Sequence, residues 1–321
     1  MIDNGHRSAA SLSAAGIMNP ITGKRLNRPL LIDRLLEDAF RIYPSIEQFL
    51  GTSFFRRRTV LRLLQSADEQ RRWQERLVSR DYAKYLGSID CARLPSMESW
   101  FGGFEIVVAG QLDVGAFIRA VRKRLAGTGR LIESEFTYHE LRFAKNAVGW
   151  RGRTARAVIF CEGYKLSANP FFNAIQLNPA KGEMLTLRAP NFADDRIIQR
   201  GKWLFRATNG EVKAGTTYTW DHPDQTPTEI ARDEIQKSIR QFANFDFEVI
   251  GHTAGVRPVI RVDNRPIVGR HPENRQAAVL NGLGSKGVLQ APFASLQLIG
   301  SLERGEPIHP HFDVCRKSLW Q

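Results

Sequence analysis

Near the end of this 321-residue chain, Asn281-Gly282-Leu283-Gly284-Ser285-Lys286-Gly287-Val288 opens an apolar run from Leu289 to Leu302. The run has helical character, with Pro292 tolerated in its first turn. A short apolar stretch, Ala277 to Leu280, precedes the glycines and reads as a strand. Strand, glycine turn and helix together constrain the local fold strongly. The glycines let a ligand approach bare backbone N–H groups, and the positive end of the helix dipole faces it. A pyrophosphate site would need a full βαβ unit around such a loop. After Leu302 the chain is polar and broken by Pro307 and Pro310, with no clear second strand. These glycines therefore serve a different part of a ligand. Two further segments lie just upstream, Gly255-Val256-Arg257-Pro258 and Asp263-Asn264-Arg265-Pro266-Ile267-Val268-Gly269.

An apolar fraction of 42% with 25% charged residues describes an ordinary globular protein, large enough for one big domain or two. No apolar stretch approaches the roughly 18–20 residues that cross a bilayer, and Met1-Ile2-Asp3-Asn4-Gly5 is no signal peptide. Cys91, Cys161 and Cys315 are scattered and odd in number. They argue against a disulfide framework and for a reducing compartment, with the cytoplasm as the default. His309-Pro310-His311 is a weak metal signal, and no metal site is expected. The net charge is +13. Arg56-Arg57-Arg58, Arg62, Arg71-Arg72, Arg76 and Arg80 contribute to it, among apolar residues spaced as in a helix (Leu61, Leu63, Leu64, Trp73, Leu77). The spacing predicts solvated helix faces, with attraction to phosphate as the alternative.

At the other end, Met1-Ile2-Asp3 reads as the tail of a buried strand ending in an acid. Gly5 to Pro20 follows, rich in small residues. Such a segment permits close backbone approach to a bulky planar or phosphorylated group, or is a plain disordered tail.

Asp3-Asn4-Gly5-His6, Ser11-Leu12-Ser13-Ala14-Ala15-Gly16-Ile17 and the C-terminal segments resemble the FAD-dependent amine and amino-acid oxidases. That family includes glycine oxidase, D-amino-acid oxidase, sarcosine oxidase and the oxidase domain of a tRNA-wobble-uridine-modifying enzyme. Ala157 to Gly163 resembles the family's strand ending in Ala-x-Gly, with Cys161 in place of Ala. Asn178-Pro179-Ala180-Lys181-Gly182-Glu183 resembles its Pro-x-Lys-Gly-Glu turn, and Gly215-Thr216-Thr217-Tyr218 a strand near the flavin. The matches are colinear and span the chain; their order carries the resemblance, since no single motif is decisive. The family opens with a strand and a G-x-G-x-x-G loop that have no counterpart here. The resemblance therefore implies an N-terminally incomplete FAD-binding domain, short by about 30 residues.

The fold implied is α/β: a Rossmann-like FAD-binding domain (1–45, 102–165, 253–321) interleaved with a mixed-sheet substrate domain (46–101, 166–252). The sequence itself predicts a helix from Asp113 to Leu125, ending at Gly127, and another from Pro227 to about Phe242, with Pro227 in its first turn. Strands are expected over 182–187, 203–208, 211–219 and 245–252. The resemblance further implies FAD as cofactor. Asp3 would meet the adenosine ribose, with Ser11, Ala14, Ala15, Gly16, Ile17 and Gly163 near the nucleotide. Gly284, Ser285, Lys286, Gly287 and Val288 would face the charge near flavin N1 and O2. Arg257 would fork a substrate carboxylate, unless it is structural and pairs with an acid such as Asp263. Tyr218 would close the pocket, unless it is core. The expected reaction is oxidation of a small amine or amino acid. The alternatives are a modified tRNA base as substrate, or a non-catalytic remnant without FAD.

Overall fold

The computed structural model describes residues 1–6, 9–87 and 101–320. Its largest sheet has seven strands in the order Glu248–Arg257, Ala180–Arg188, Val212–Gly215, Lys202–Arg206, Ile197–Arg200, Val60–Leu63, Gly103–Ile106. Neighbours are antiparallel except Ile197–Arg200 and Val60–Leu63, which run parallel. Ala180–Arg188 is buried at every residue but its last. A strand covered on both faces loses the alternation that would announce it in sequence. One cover is the helix Glu229–Arg240. Its Thr228 cap accepts the Ala231 N–H at 3.3 Å, and Ala231, Ile235 and Ile239 form its buried stripe. Pro227 stands one residue before the cap, outside the first turn expected for it.

The remaining architecture is α/β of Rossmann-like character. Ile2–Asp3 runs parallel to Ile132–Glu133, and Val158–Phe160 runs parallel to Ala277–Asn281, which also pairs antiparallel with Ile267–Arg270. Ala277–Asn281 feeds the helix Gly287–Arg304, which shares a core with the helix Ile32–Leu50 through Leu289, Phe293, Leu35 and Leu36. A third helix, Val114–Gly127, is capped by Asp113, whose carboxylate accepts the Ala116 N–H at 2.8 Å.

Two expectations are corrected. The arginine-rich stretch is not helical throughout: Phe55–Arg57 and Val60–Leu63 are strands, and the helix spans Ala67–Leu77. Arg62 is not on a solvated face. It is 3% exposed and ion-paired with Glu69, itself 3% exposed. The C-terminal helix starts at Gly287, two residues early, so Pro292 falls in its second turn. There it removes the hydrogen bond that the Val288 carbonyl would accept. The Tyr43 hydroxyl supplies it instead, donating to Val288 O at 2.8 Å.

Candidate functional site

Arg257 ends the sheet's edge strand, and Pro258 follows it. Its guanidinium lies over the backbone of Gly182 on the neighbouring strand. A Cβ at Gly182 would come within 1.9 Å of Arg257 Nη2, so this packing needs glycine. Nη1 donates to the carbonyls of Lys181 (3.2 Å) and Thr217 (3.4 Å). Nη2 donates to Thr216 Oγ1 (3.0 Å) and Thr217 O (3.4 Å). No ion pair forms between Arg257 and any described acid. Asp263, the acid proposed for a structural Arg257, instead pairs with Arg316 at 2.9 Å. Burial pushes the guanidinium below its ordinary pKa, against a smaller opposing effect of Tyr218. The Tyr218 ring lies 4.8 Å from the guanidinium carbon, a cation–π contact. Tyr218 is not core: it is 41% exposed, beside Trp220. Its phenol is raised, chiefly by burial, with the Arg257 charge pulling the other way.

The same edge strand reaches the N-terminal segment. Ala10–Ser13 forms a 3-10 turn, and the Ser13 hydroxyl donates to Ala254 O at 2.8 Å. A Cβ on Gly255 would stand 3.1 Å from that of Ser13. Ile17 pairs with Gln111, whose amide donates to Ala15 O at 3.3 Å. Ala14 closes the 3-10 turn through its N–H to Ser11 O. Gly16 has φ +71°, and a Cβ there would fall 1.8 Å from Leu112 O. Gly16→Ala is expected to lower folding stability by about 2–3 kcal/mol, from left-handed strain plus overlap. Urea denaturation checks this; a midpoint within error of the natural chain would refute it. Two proposed ligand contacts already have protein partners: Ser11 Oγ lies 2.9 Å from His6 Nε2, and Asp3 takes Arg122 Nη1 at 2.5 Å and the Gly5 N–H at 2.8 Å. Burial raises the Asp3 carboxyl, but Arg122, Gly5 and His6 outweigh it and hold it below the usual range.

The glycine turn lies beside these elements. Gly284 N–H donates to Pro258 O at 3.1 Å, directly after Arg257. The Asn281 amide donates to Gly163 O at 3.0 Å, bringing Gly163 to the same turn. Gly284–Lys286 is a 3-10 turn that runs into the helix Gly287–Arg304, whose start has no side-chain cap. Lys286 is half-buried, and among the described residues its ammonium has neither hydrogen bond nor ion pair; desolvation lowers it below the usual lysine range. An uncapped helix start beside an unpaired, desolvated cation suits a group carrying partial negative charge. The residues present therefore fit the flavin ring at this turn. Asp3, engaged by Arg122, is less open to a ribose.

Three residue sets escaped sequence reasoning. Lys181 is not in a turn: with Gly182 and Glu183, which begin the strand expected from 182, it lies inside the buried strand Ala180–Arg188. The signal was there, since opposite charges two apart in an apolar strand share a face and imply a buried pair. Thr216 and Thr217, which receive Arg257, carry no such signal. Nor do Arg58 and Gln111, joined at 2.6 Å beneath Ala15. His309 Nδ1 accepts the His311 N–H at 3.1 Å. Among the described residues no three His, Cys, Asp or Glu side chains converge as a metal site. Cys161 and Cys315 are free thiols, and Cys91 lies outside the described residues. No helix among the described residues is long and apolar enough to cross a membrane.

The fold is similar to that of glycine oxidase from Geobacillus kaustophilus (TM-score 0.81, 19% identity, 99% of this chain and 90% of that one). It is also similar to iminodiacetate oxidase from a Chelativorans species (TM-score 0.78, 21% identity, 96% and 89%). In sequence, 134 residues are 28% identical to the glycine oxidase of Pseudomonas aeruginosa. That match spans 40% of this chain and only 36% of the enzyme's length. Residues 1–298 match the family described as FAD dependent oxidoreductase, and with the matching architecture the chain belongs to that family.

Proposed function

We propose that this chain oxidises a small amine or amino acid, holding the substrate carboxylate at Arg257. One observation carries the reading: a half-buried guanidinium, without an acid partner among the described residues, beside Pro258, whose carbonyl holds a turn that suits a flavin. FAD, when bound, supplies the hydride acceptor for the carbon beside the amine nitrogen. The protein's own residues bind, orient and shield. Arg257 offers parallel N–H donors to two carboxylate oxygens. Its two 3.4 Å contacts to Thr217 O are long and shared, so a carboxylate replaces weak bonds with charge-assisted ones. Tyr218 and Trp220 form an aromatic wall that limits water at the guanidinium. Lys286 and the uncapped turn beside it would hold the electron-rich part of the flavin.

The test uses protein loaded with FAD and mixed anaerobically with glycine, sarcosine and their amides. Bleaching of the flavin absorbance by the acids, and much more slowly by the amides, is the expected result. No bleaching by any small amine or amino acid would end the proposal. The turn is tested separately. Lys286→Met should weaken FAD binding about ten-fold, the loss of one charge-assisted contact. Flavin fluorescence titration reads this, and an unchanged Kd would remove Lys286 from the cofactor site.

A further inference from the structure

Thr216 to Thr228 joins the strand Val212–Gly215 to the helix Glu229–Arg240 and carries the exposed rings of Tyr218 and Trp220. It contains no helix and only a single β-bridge, at Thr219. Connections of this length are ordinarily free to move or serve as lids. This one is held at both ends by two residues of a single buried strand. Lys181 and Thr219 exchange both backbone hydrogen bonds, at 2.8 and 3.1 Å. The Lys181 ammonium, 5% exposed, donates to Asp224 Oδ1 at 2.6 Å and Thr226 O at 2.5 Å. Glu183 holds the rest. Its N–H donates to Thr217 Oγ1 at 3.0 Å, and its carbonyl accepts from the Thr216 hydroxyl at 3.0 Å. Its carboxylate accepts the Thr228 N–H at 2.7 Å and the Thr228 hydroxyl at 2.9 Å. His252 Nε2 lies 2.9 Å from the same carboxylate, and Lys181 Nζ lies 3.6 Å away.

Two charges buried on a strand are costly unless each is paired. Here Lys181 meets two carboxylates and Glu183 is fully engaged, so the pair persists. Apart from the His252 contact, its side-chain bonds end on one loop or on the cap that begins the next helix. Between those anchors the loop places Tyr218 over Arg257, and Arg257 returns bonds to Lys181, Thr216 and Thr217. We propose that Lys181 and Glu183 are positioning residues that staple Thr216–Thr228 across Arg257 and so set the affinity for an anionic substrate there. This rests on the carboxylate reading of Arg257.

The experiment compares the FAD-loaded natural chain with Lys181→Met, Asp224→Asn and Asp224→Glu. Asp224 is exposed, so its variants stay folded if Lys181→Met does not. Amide hydrogen exchange over 216–228 should quicken about ten-fold or more in Lys181→Met and several-fold in Asp224→Asn. Ile197–Arg200, elsewhere in the sheet, should be unchanged. KM for a carboxylate substrate should rise by about the same factors, with kcat and flavin content within about two-fold. Asp224→Glu, which keeps the charge, should restore both readouts. Unchanged exchange in Asp224→Asn and Lys181→Met overturns the staple. So does faster exchange with an unmoved KM, provided Arg257→Lys discriminates the acid from its amide. If Arg257→Lys slows acid and amide equally, the carboxylate reading has failed, and the exchange result alone decides the staple.

Discussion

Arg257→Lys is expected to lower kcat/KM for an amino-acid substrate by about ten-fold or more, with the amide analogue nearly unaffected. Lysine keeps the charge but offers a single compact ammonium where the guanidinium presents a planar fork. A charge-assisted hydrogen bond contributes on the order of 1.5–3 kcal/mol, and losing one of two lands in the range stated. The structure sharpens the opposing outcome. Arg257 also ties Lys181 and Thr217 carbonyls together, and a purely structural role would show in those bonds. Acid and amide would then slow equally, and folded yield and thermal midpoint would fall. Steady-state kinetics on both substrates, with flavin content measured alongside, separates the two.

Glu69→Ala should cost about 3–5 kcal/mol of folding stability, the loss typical when one partner of a buried ion pair is removed. Arg62 sits mid-sheet, between Gln199 and Phe104 in register, with almost no exposure. Without Glu69 its guanidinium has no carboxylate partner among the described residues. Glu69 Oε2 also accepts the Gln65 N–H at 2.8 Å, so the turn into the helix Ala67–Leu77 loosens too. That helix brings Trp73 flat onto Phe104 at 3.5 Å between ring centroids, which spreads the damage into the core. The double change Arg62→Met with Glu69→Leu should recover most of the loss, because the desolvation cost disappears with both charges. Chemical denaturation of the three variants checks this. A Glu69→Ala loss under about 1 kcal/mol would show that water reaches the pair.

The legible parts of this chain were those whose signal is local. The strand, glycine turn and helix from Ala277 to Arg304 follow from small residues before an apolar run, with the helix two residues longer at each end than the Leu289–Leu302 run. The helix expected from Asp113, which proves to be its cap, and the Ala231, Ile235 and Ile239 stripe follow from apolar residues at helical spacing. Misreadings arose where tertiary burial overrides local pattern. Val60–Leu63 is buried at all four residues, so its leucines mimic a helix stripe. The strand expected over 182–187 runs from Ala180 to Arg188, so Lys181, expected in a turn before it, lies inside it. At the candidate site, Arg257 stood out as an arginine beside a proline. Its seat on Gly182 and its bonds to Thr216 and Thr217 depend on residues distant in sequence, which no local pattern reports.

The edge strand Glu248–Arg257 touches the Ala10–Ser13 turn at Ala254–Gly255 and, three residues on, delivers Arg257 and the Pro258 carbonyl that holds Gly284. Three strand residues span roughly 10 Å. The strand therefore works as a fixed ruler between the Ala10–Ser13 turn, proposed for the nucleotide, and Arg257, the proposed carboxylate anchor. Any change in its pairing with Ala180–Arg188 shifts both marks together. New substrate preferences in this chain should accordingly arise first by substitution in Thr216–Thr228, where bulk can change without recalibrating that distance.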